Sequence, residues 1–343
     1  MCKPFRSAVD VQFPYPVMVC DVGGTNLRVA VSRAPGMAPE IVLKDSTAAH
    51  HGLEGALVAA AKAAGTEARS VIICAAGPVD ASHVRLTNAD WTLDGPQIAR
   101  RLGLEQGLLL NDFEAQAVAL PHLTPDMTRE ICSGLARSGA PMLALGPGTG
   151  LGAAALLPAN GRWLPATTEA GHVDFGPVGA LEEKVWPHLE RVEGRVTFES
   201  VLSGPGLARL HSALGAAQAR APDGRDAAGV QAAARAGDES AVESIRLFWR
   251  LVARCAGDLA LIFLARGGVT LAGGVLPRLV DWLDARAFRE TFLAKAPMQA
   301  VLADIPIRLI EQPDAVLTGM SALAAAPDMY AIDYTNRSWR RGV

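Results

Sequence analysis

The chain has 343 residues, half of them hydrophobic and 20% charged, with a formal net charge of -3. Such a length exceeds one ordinary core and predicts two domains, while the composition excludes an intrinsically disordered chain. With that charge and no long basic run, no nucleic-acid partner is expected; Arg337, Arg340 and Arg341 read as an exposed basic tail.

The first strong signal is the run Val17–Val22, followed by Gly23 and Gly24 and then by residues 27–31. Two β-rich runs around a Gly-Gly turn predict a hairpin. Further strands are expected at residues 41–44, 71–74, 108–110, 142–145, 153–157 and 269–272, and at Ile307–Ile310. Between them, Leu53–Ala64 is an Ala-rich helix, and residues 215–237 look like a loosely specified helix pair or insertion without chemistry. Residues 238–266 form a helix whose apolar face widens until it is nearly apolar all round, which predicts a buried end. The last helix, residues 314–325, follows Pro313, a normal start signal. This alternation predicts an α/β architecture.

Five cysteines, Cys2, Cys20, Cys74, Cys132 and Cys255, are scattered without a C-x-x-C pair. Buried thiols in a reducing compartment fit them better than disulfides or structural zinc. Residues 1–16 lack the apolar core of a secretory signal. Residues 138–161 are uncharged and long enough to span a bilayer, but their prolines and glycines break a spanning helix. The expectation is a cytoplasmic protein with no membrane partner.

Three Gly-rich turns stand at the ends of β-like runs: DVGGTN at residues 21–26, GPGTGLG at residues 146–152 and AGGVLP at residues 272–277. Glycine lets a backbone approach a polyphosphate and aim its N–H groups at the oxygens. Thr25 and Thr149 add hydroxyl donors, and Asp21 is placed to hold Mg²⁺ through water. Neither common nucleotide motif is present: there is no G-x-x-x-x-G-K-[ST], and Leu151 stands where G-x-G-x-x-G needs its third glycine. Any one of these loops is more often a plain turn; three together, one with an aspartate, point to nucleotide.

These segments resemble the two phosphate segments and the adenosine segment of the actin-like, hexokinase-type ATPase fold. TNADW at residues 87–91, LNDFEA at 110–115, EAGHVDFGP at 169–177, FES at 198–200 and LSGPGL at 202–207 narrow the match. In that order, over roughly residues 17–326, the chain resembles the bacterial glucokinase family. The resemblance implies a two-domain ribonuclease H-like α/β fold with ATP and glucose bound in the interdomain cleft, a Mg·ATP requirement and homodimers. Residues 1–111 with 314–343 would form the small domain, and residues 112–313 the large one. ATP would be held by Asp21, Val22, Gly23, Gly24, Thr25, Asn26, Gly148, Thr149, Gly150, Gly273 and Gly274. The chain departs from the family at Thr168 and Ala170, which flank Glu169 where glycine is usual, and at Pro147, where a small residue is common.

Asn111 and Asp112 follow an apolar strand and precede a helix, a strand end where α/β folds place ligands. On spacing alone, Asp112 is equally an N-cap for a helix starting at Phe113, with Glu114 suited to the first turn. The resemblance makes Asp112 the catalytic base, with Asn111, Glu169, His172 and Glu199 contacting sugar. Glu169 and His172 together suit a metal, but no cysteine follows His172 as in related zinc-bearing sugar kinases, so sugar hydroxyls are the expected partners and no protein-bound metal. Asn88 reads as a structural turn. No G-x-S-x-G element or hydrolytic triad is suggested. The alternatives are a kinase for mannose, fructose or an N-acetylated hexosamine, and a non-catalytic sugar-sensing regulator.

Overall fold

The computed structural model describes residues 11–77, 79–86 and 91–340. Fifteen strands and thirteen α-helices, numbered in chain order, occur among the described residues. They fall into two compact units: the chain up to Thr124 with Leu156–Thr167 and the chain from Asp314, and Pro125–Ala155 with Thr168–Pro313. The TNADW segment lies, apart from Trp91, outside the described residues.

The first unit is built on a sheet of order β15-β8-β4-β1-β2-β3. Strands β1 (Val17–Val22), β2 (Asn26–Ser32) and β3 (Glu40–Ser46) run antiparallel, so the expected hairpin forms, with Val22 facing Leu27 beside its turn. β4 (Ser70–Ala75) is parallel to β1, and β8 (Gln106–Asn111) is parallel to β4. These central strands are apolar at nearly every position because helices cover both faces. Met18, Cys20 and Val22 pack against α1 (Leu53–Ala64) and α2 (Gly95–Leu102). Val17 and Val19, with the opposite pleat, pack against α3 (Asp112–Ala119) and α12 (Ala315–Ala325). A small sheet of β5 (Val79–Asp80), β6 (His83–Arg85) and β7 (Thr92–Asp94) completes this unit.

Two expectations fail here. The large domain was expected to begin at Asp112, yet α3 belongs to the first unit because Ala115 and Val118 are part of that core. The basic tail is not an exposed appendage either. α13 (Tyr334–Arg337) and β15 (Ser338–Arg340) dock on the sheet, β15 pairing antiparallel with β8. Trp339 is buried over Gly95 and Gly107, where an added Cβ would meet its ring at 2.3 and 2.2 Å. Only glycine leaves room for the indole. Arg337 is inside, Arg340 is exposed, and Arg341 lies outside the described residues.

The second unit has a sheet of order β12-β11-β10-β13-β14-β9. β10 (Met142–Pro147), β13 (Gly268–Leu271) and β14 (Ile307–Ile310) are parallel, and β9 (Thr128–Cys132) closes the edge antiparallel to β14. β11 (Leu151–Ala159) and β12 (Arg162–Thr168) extend the other edge, where Leu156–Thr167 belongs to the first unit. The helices are α4 (Ala180–Val185), α5 (Phe198–Val201), α6 (Gly204–Ala217), α7 (Ala227–Arg235), α8 (Glu239–Phe263), α9 (Leu276–Leu279), α10 (Ala285–Leu293) and α11 (Gln299–Leu302).

Helix α8 starts where Asp238 accepts the N–H groups of Ser240 and Ala241, and it buries one long face in the core. Its end is not buried all round: Ile262 and Leu264 are 70% and 50% exposed, and Leu264 turns left-handed at the cap. α6, α7 and α8 also enclose a chain of hydrogen bonds, Ser244 to His211 at 2.8 Å and His211 to Asp223 at 3.0 Å. The order is that of a hydrolytic triad, but Ser244 is fully buried and donates to the Ser240 carbonyl. It ties helices together and offers no nucleophile. Among the described residues, no helix is long and apolar enough to cross a membrane.

In the first unit, α3 and α12 cross with Gly319 against Ala119, where a Cβ would lie 2.4 Å from the Ala119 Cα. Gly319→Ala should gain about 1 kcal/mol of helix propensity. It should lose more, because overpacking costs about 1–3 kcal/mol and backbone has no rotamer to give. Urea unfolding should show a net loss of up to about 2 kcal/mol.

Candidate active site

In the first unit, the turn between β1 and β2 is closed by the Gly23 N–H donating to the Asn26 carbonyl at 2.9 Å. Thr47 takes up two further carbonyls, its hydroxyl donating to Gly23 at 2.7 Å and its N–H to Thr25 at 3.0 Å. The loop is thereby fixed, with the Thr25 and Asn26 side chains exposed. Thr47 escaped the sequence reading because it follows a strand and has no motif of its own.

Asp21, inside the end of β1, accepts from Arg28 at 2.7 Å and from the Cys74 thiol at 3.4 Å. Burial raises its carboxyl above the usual range, and the Arg28 guanidinium opposes that rise. Asp314 lies 3.8 Å from Arg28 and pairs with Lys44 at 2.6 Å, so charges alternate along this edge. Burial pushes the thiols of Cys20 and Cys74 well up, which keeps them protonated. Cys132 and Cys255 are likewise free and buried, and Cys2 lies outside the described residues.

At the end of β8, the cap of α3 is Asn111 and not Asp112. Its Oδ1 accepts the N–H groups of Phe113 at 2.9 Å and Glu114 at 3.3 Å, and Glu114 accepts the Asn111 N–H at 3.2 Å. This capping box satisfies three backbone donors at the helix start. The Asn111 amide also donates to the Gly77 carbonyl at 3.1 Å, and the same side chain hydrogen-bonds the Asp112 carboxylate. Asp112 is thus the first helical residue and is relieved of capping. Burial, with the nearby negative charge of Asp21 adding to it, pushes its carboxyl up to about 6 against the pull of the Phe113 N–H.

In the second unit, the GPGTGLG and AGG loops leave adjacent parallel strands at the same end. The Gly148 N–H donates to Gly150, the Ala272 N–H to Leu145 and the Gly204 N–H to Gly148, so these loops and the start of α6 are laced together. Gly273 has φ +81°, and a Cβ there would fall 2.3 Å from the Pro147 carbonyl oxygen. Both backbone and space demand glycine at this position. Thr149 is exposed at the loop tip.

Glu199 lies in the first turn of α5, behind the Thr197 cap. Its Oε2 accepts the Leu151 N–H at 2.8 Å, which fixes the end of the glycine loop. A Cβ on Gly150 would come within 2.3 Å of the same oxygen, and one on Gly171 within 2.5 Å of the Leu151 carbonyl. The Glu199 side chain thus lies against both the glycine loop and the segment that carries Glu169 and His172. Glu169 and His172 have side chains 86% and 61% exposed, 3.8 Å apart, with their polar atoms free to meet a ligand. Thr168, a departure from the usual glycine, has a function in this packing. Its hydroxyl donates to Ala153 at 2.8 Å and accepts from the Ala170 N–H at 3.3 Å. Ala170 is itself buried in the core of this unit. Among the described residues, no group of three or more His, Cys, Asp or Glu side chains could hold a metal ion.

Comparison with known proteins sets these loops in context. The sequence matches the Glucokinase family model over residues 18–327. The chain belongs to the glucokinase family. It is 39% identical over 333 residues to a glucokinase of Brucella abortus biovar 1, covering 96% of both chains. The crystal structure of a glucokinase from an Antarctic psychrotroph superposes with a TM-score of 0.82 at 30% identity, covering 90% of this chain and 98% of that one. A glucokinase of the ROK family from Streptomyces griseus, solved in complex with glucose and AMPPNP, shares the fold at 23% identity. Its TM-score is 0.61, with 90% of this chain and 98% of that chain covered. The fold is the two-domain, actin-like ATPase fold.

The raised carboxyl of Asp112 has a consequence for stability. Between pH about 4 and 6 the folded state binds more protons at Asp112 than the unfolded chain, so folding weakens as pH rises across that window. Asparagine cannot ionise. Asp112→Asn should therefore stabilise the protein at pH 7.5 by about 1–3 kcal/mol, with little gain at pH 4.5. Chemical unfolding of both proteins at the two pH values tests this; an equal effect at both would mean that Asp112 is not destabilised by its charge.

Proposed function

We propose that this member of the glucokinase family transfers the γ-phosphate of ATP to the 6-hydroxyl of glucose, with Asp112 as general base. The observation that carries the base assignment is the end of β8. Asn111 caps α3, so Asp112 is spared that role, and burial pushes its carboxyl up to about 6 despite hydrogen bonds from the Phe113 N–H and the Asn111 side chain. A base of that strength is ionised at neutral pH yet basic enough to accept a proton as the hydroxyl attacks. A kinase for another hexose, weighed from the sequence, is less well supported than glucose because family and relatives agree.

Phosphoryl transfer asks a protein mainly for positioning and charge neutralisation. The reading gives the Gly23, Gly24 and Thr25 loop and the Gly148, Thr149 and Gly150 loop the phosphates, with Val22 and Asn26 flanking. Gly273 and Gly274 take the adenosine side. Glu169, His172 and Glu199 take sugar hydroxyls, and Asn111 assists. Support for ATP and glucose as ligands comes from the Streptomyces griseus neighbour, which was solved with glucose and AMPPNP.

Mg²⁺ fits Asp21. Magnesium keeps several waters and needs only one or two protein carboxylates beside phosphate oxygens, and Asp21 is a buried carboxylate whose charge already disfavours ionisation of Asp112. Asp21 would hold the ion through water, and the ion would supply charge neutralisation at the phosphates. A cytoplasmic, homodimeric enzyme acting in glycolysis belongs to the same proposal and rests on the family resemblance.

Two measurements test this reading. Asp112→Asn should lower kcat by about 10²–10⁴ while glucose affinity by calorimetry changes little. In the wild type, kcat/KM should decline below about pH 6 as Asp112 takes up a proton. Near-normal turnover in the folded variant would remove Asp112 from the base role.

Glu169→Gln should raise the KM for glucose much more than that for ATP, because the amide replaces a charged acceptor of a sugar hydroxyl. Equal rises in both constants would show that Glu169 does not discriminate the sugar.

A further inference from the structure

The docked C-terminal segment reaches the proposed base. Arg337, the last residue of α13, donates from Nη1 to Glu114 Oε1 at 2.7 Å and from Nη2 to Glu114 Oε2. Nη2 also donates to the Leu109 carbonyl at 3.0 Å. Glu114 is almost wholly buried and in turn accepts the backbone N–H of Asn111. One guanidinium thus holds the end of β8 through Leu109 and the first turn of α3 through Glu114. Asp112 stands between these two points of attachment. Arg337 lies beyond residues 18–327, the stretch that matches the family.

We infer that Arg337 is a positioning residue for catalysis, clamping the Asn111–Asp112 turn through Glu114. The clamp needs three things, and each is present. Arg337 must itself be fixed: Trp339 two residues on is wedged over Gly95 and Gly107, and β15 is registered on β8 with Ser338 opposite Leu108. Its helix must be held: Asp333 caps it through the Asn336 N–H, and the Tyr334 hydroxyl donates to Pro327 at 2.8 Å. Glu114 must be held in place, and the two-pronged arginine contact does so. A lone buried carboxylate at that position would either take a proton or pull towards solvent. In both cases the Asn111 N–H loses a strong acceptor, and the turn carrying Asp112 loosens. Positioning matters steeply here, since a displacement of about 1 Å costs up to about 100-fold in rate.

This inference rests on the reading of Asp112 as the base, and the experiment separates the two. The intact protein is compared with Arg337→Met, Arg337→Lys and Asp112→Asn. Melting temperature and near-ultraviolet circular dichroism establish the folded fraction, and assays run well below the melting transition. Arg337→Met should fold, melt earlier and lose about 10- to 100-fold in kcat, with the KM values for glucose and ATP within about threefold of wild type. Arg337→Lys keeps the charge but loses the fork, and it should recover much of that kcat. A folded Arg337→Met enzyme with wild-type kcat would reduce the clamp to a stability element and overturn the inference. If Arg337→Met does not fold, Arg337→Lys decides: a kcat several-fold down at unchanged KM supports the clamp, and wild-type kcat overturns it. Normal turnover in Asp112→Asn would overturn the base reading and the inference with it, whereas a dead Asp112→Asn beside fully active Arg337 variants would overturn the clamp alone.

Discussion

The interaction on which the proposed chemistry depends is the capping box at the start of α3. A helix start leaves backbone N–H groups that must find acceptors, and a buried strand end leaves no water to supply them. Asn111 and Glu114 provide those acceptors between them, with bonds of 2.9 to 3.3 Å. Hydrogen bonds from the Phe113 N–H and the Asn111 side chain lower the basicity of Asp112, and burial outweighs them. The same turn is reached by Gly77, just after β4, and by Arg337 of the C-terminal segment, so two distant parts of the chain converge on it.

The second unit is organised by close approach. Gly150, Gly171 and Gly273 each stand where a Cβ would collide with a carboxylate or carbonyl oxygen within 2.5 Å. Such spacing brings two strand-end loops and the segment bearing Glu169 together without intervening side chains. Glu199 works as the joint, since its carboxylate already accepts the Leu151 N–H. A sugar hydroxyl meeting Glu199 would therefore meet a carboxylate whose orientation is fixed by the glycine loop.

Much of this was legible in the sequence, and the rest was hidden for identifiable reasons. The hairpin of β1 and β2 and the buried strands β4, β8 and β10 declared themselves because apolar runs between glycine turns have few other readings. The cap was misassigned as an open choice at Asp112, because Asn and Asp cap equally well and only geometry tells which accepts the N–H groups. The end of α8 looked buried because its residues are apolar; exposure of Ile262 and Leu264 depends on what lies beside the helix, which periodicity does not report. Arg337 was read as part of a tail because its partners, Glu114 and Leu109, are more than two hundred residues away in sequence. The value of Thr168 was similarly invisible, since its hydroxyl donates to Ala153 across a strand pair.

The connectivity of the first unit has a consequence for biosynthesis. Its sheet receives β1 to β4 and β8 early, yet α12 and β15 are supplied only after the whole second unit has been made. One apolar face of that sheet, including Val17, Val19, Ile72 and Leu110, is covered only in part, by α3, until α12 emerges from the ribosome. The usual order, in which the amino-terminal part of a protein matures first during translation, is therefore reversed for this chain. The amino-terminal sheet is the element that must wait, exposed, and the one on which a co-translational chaperone would have most reason to act.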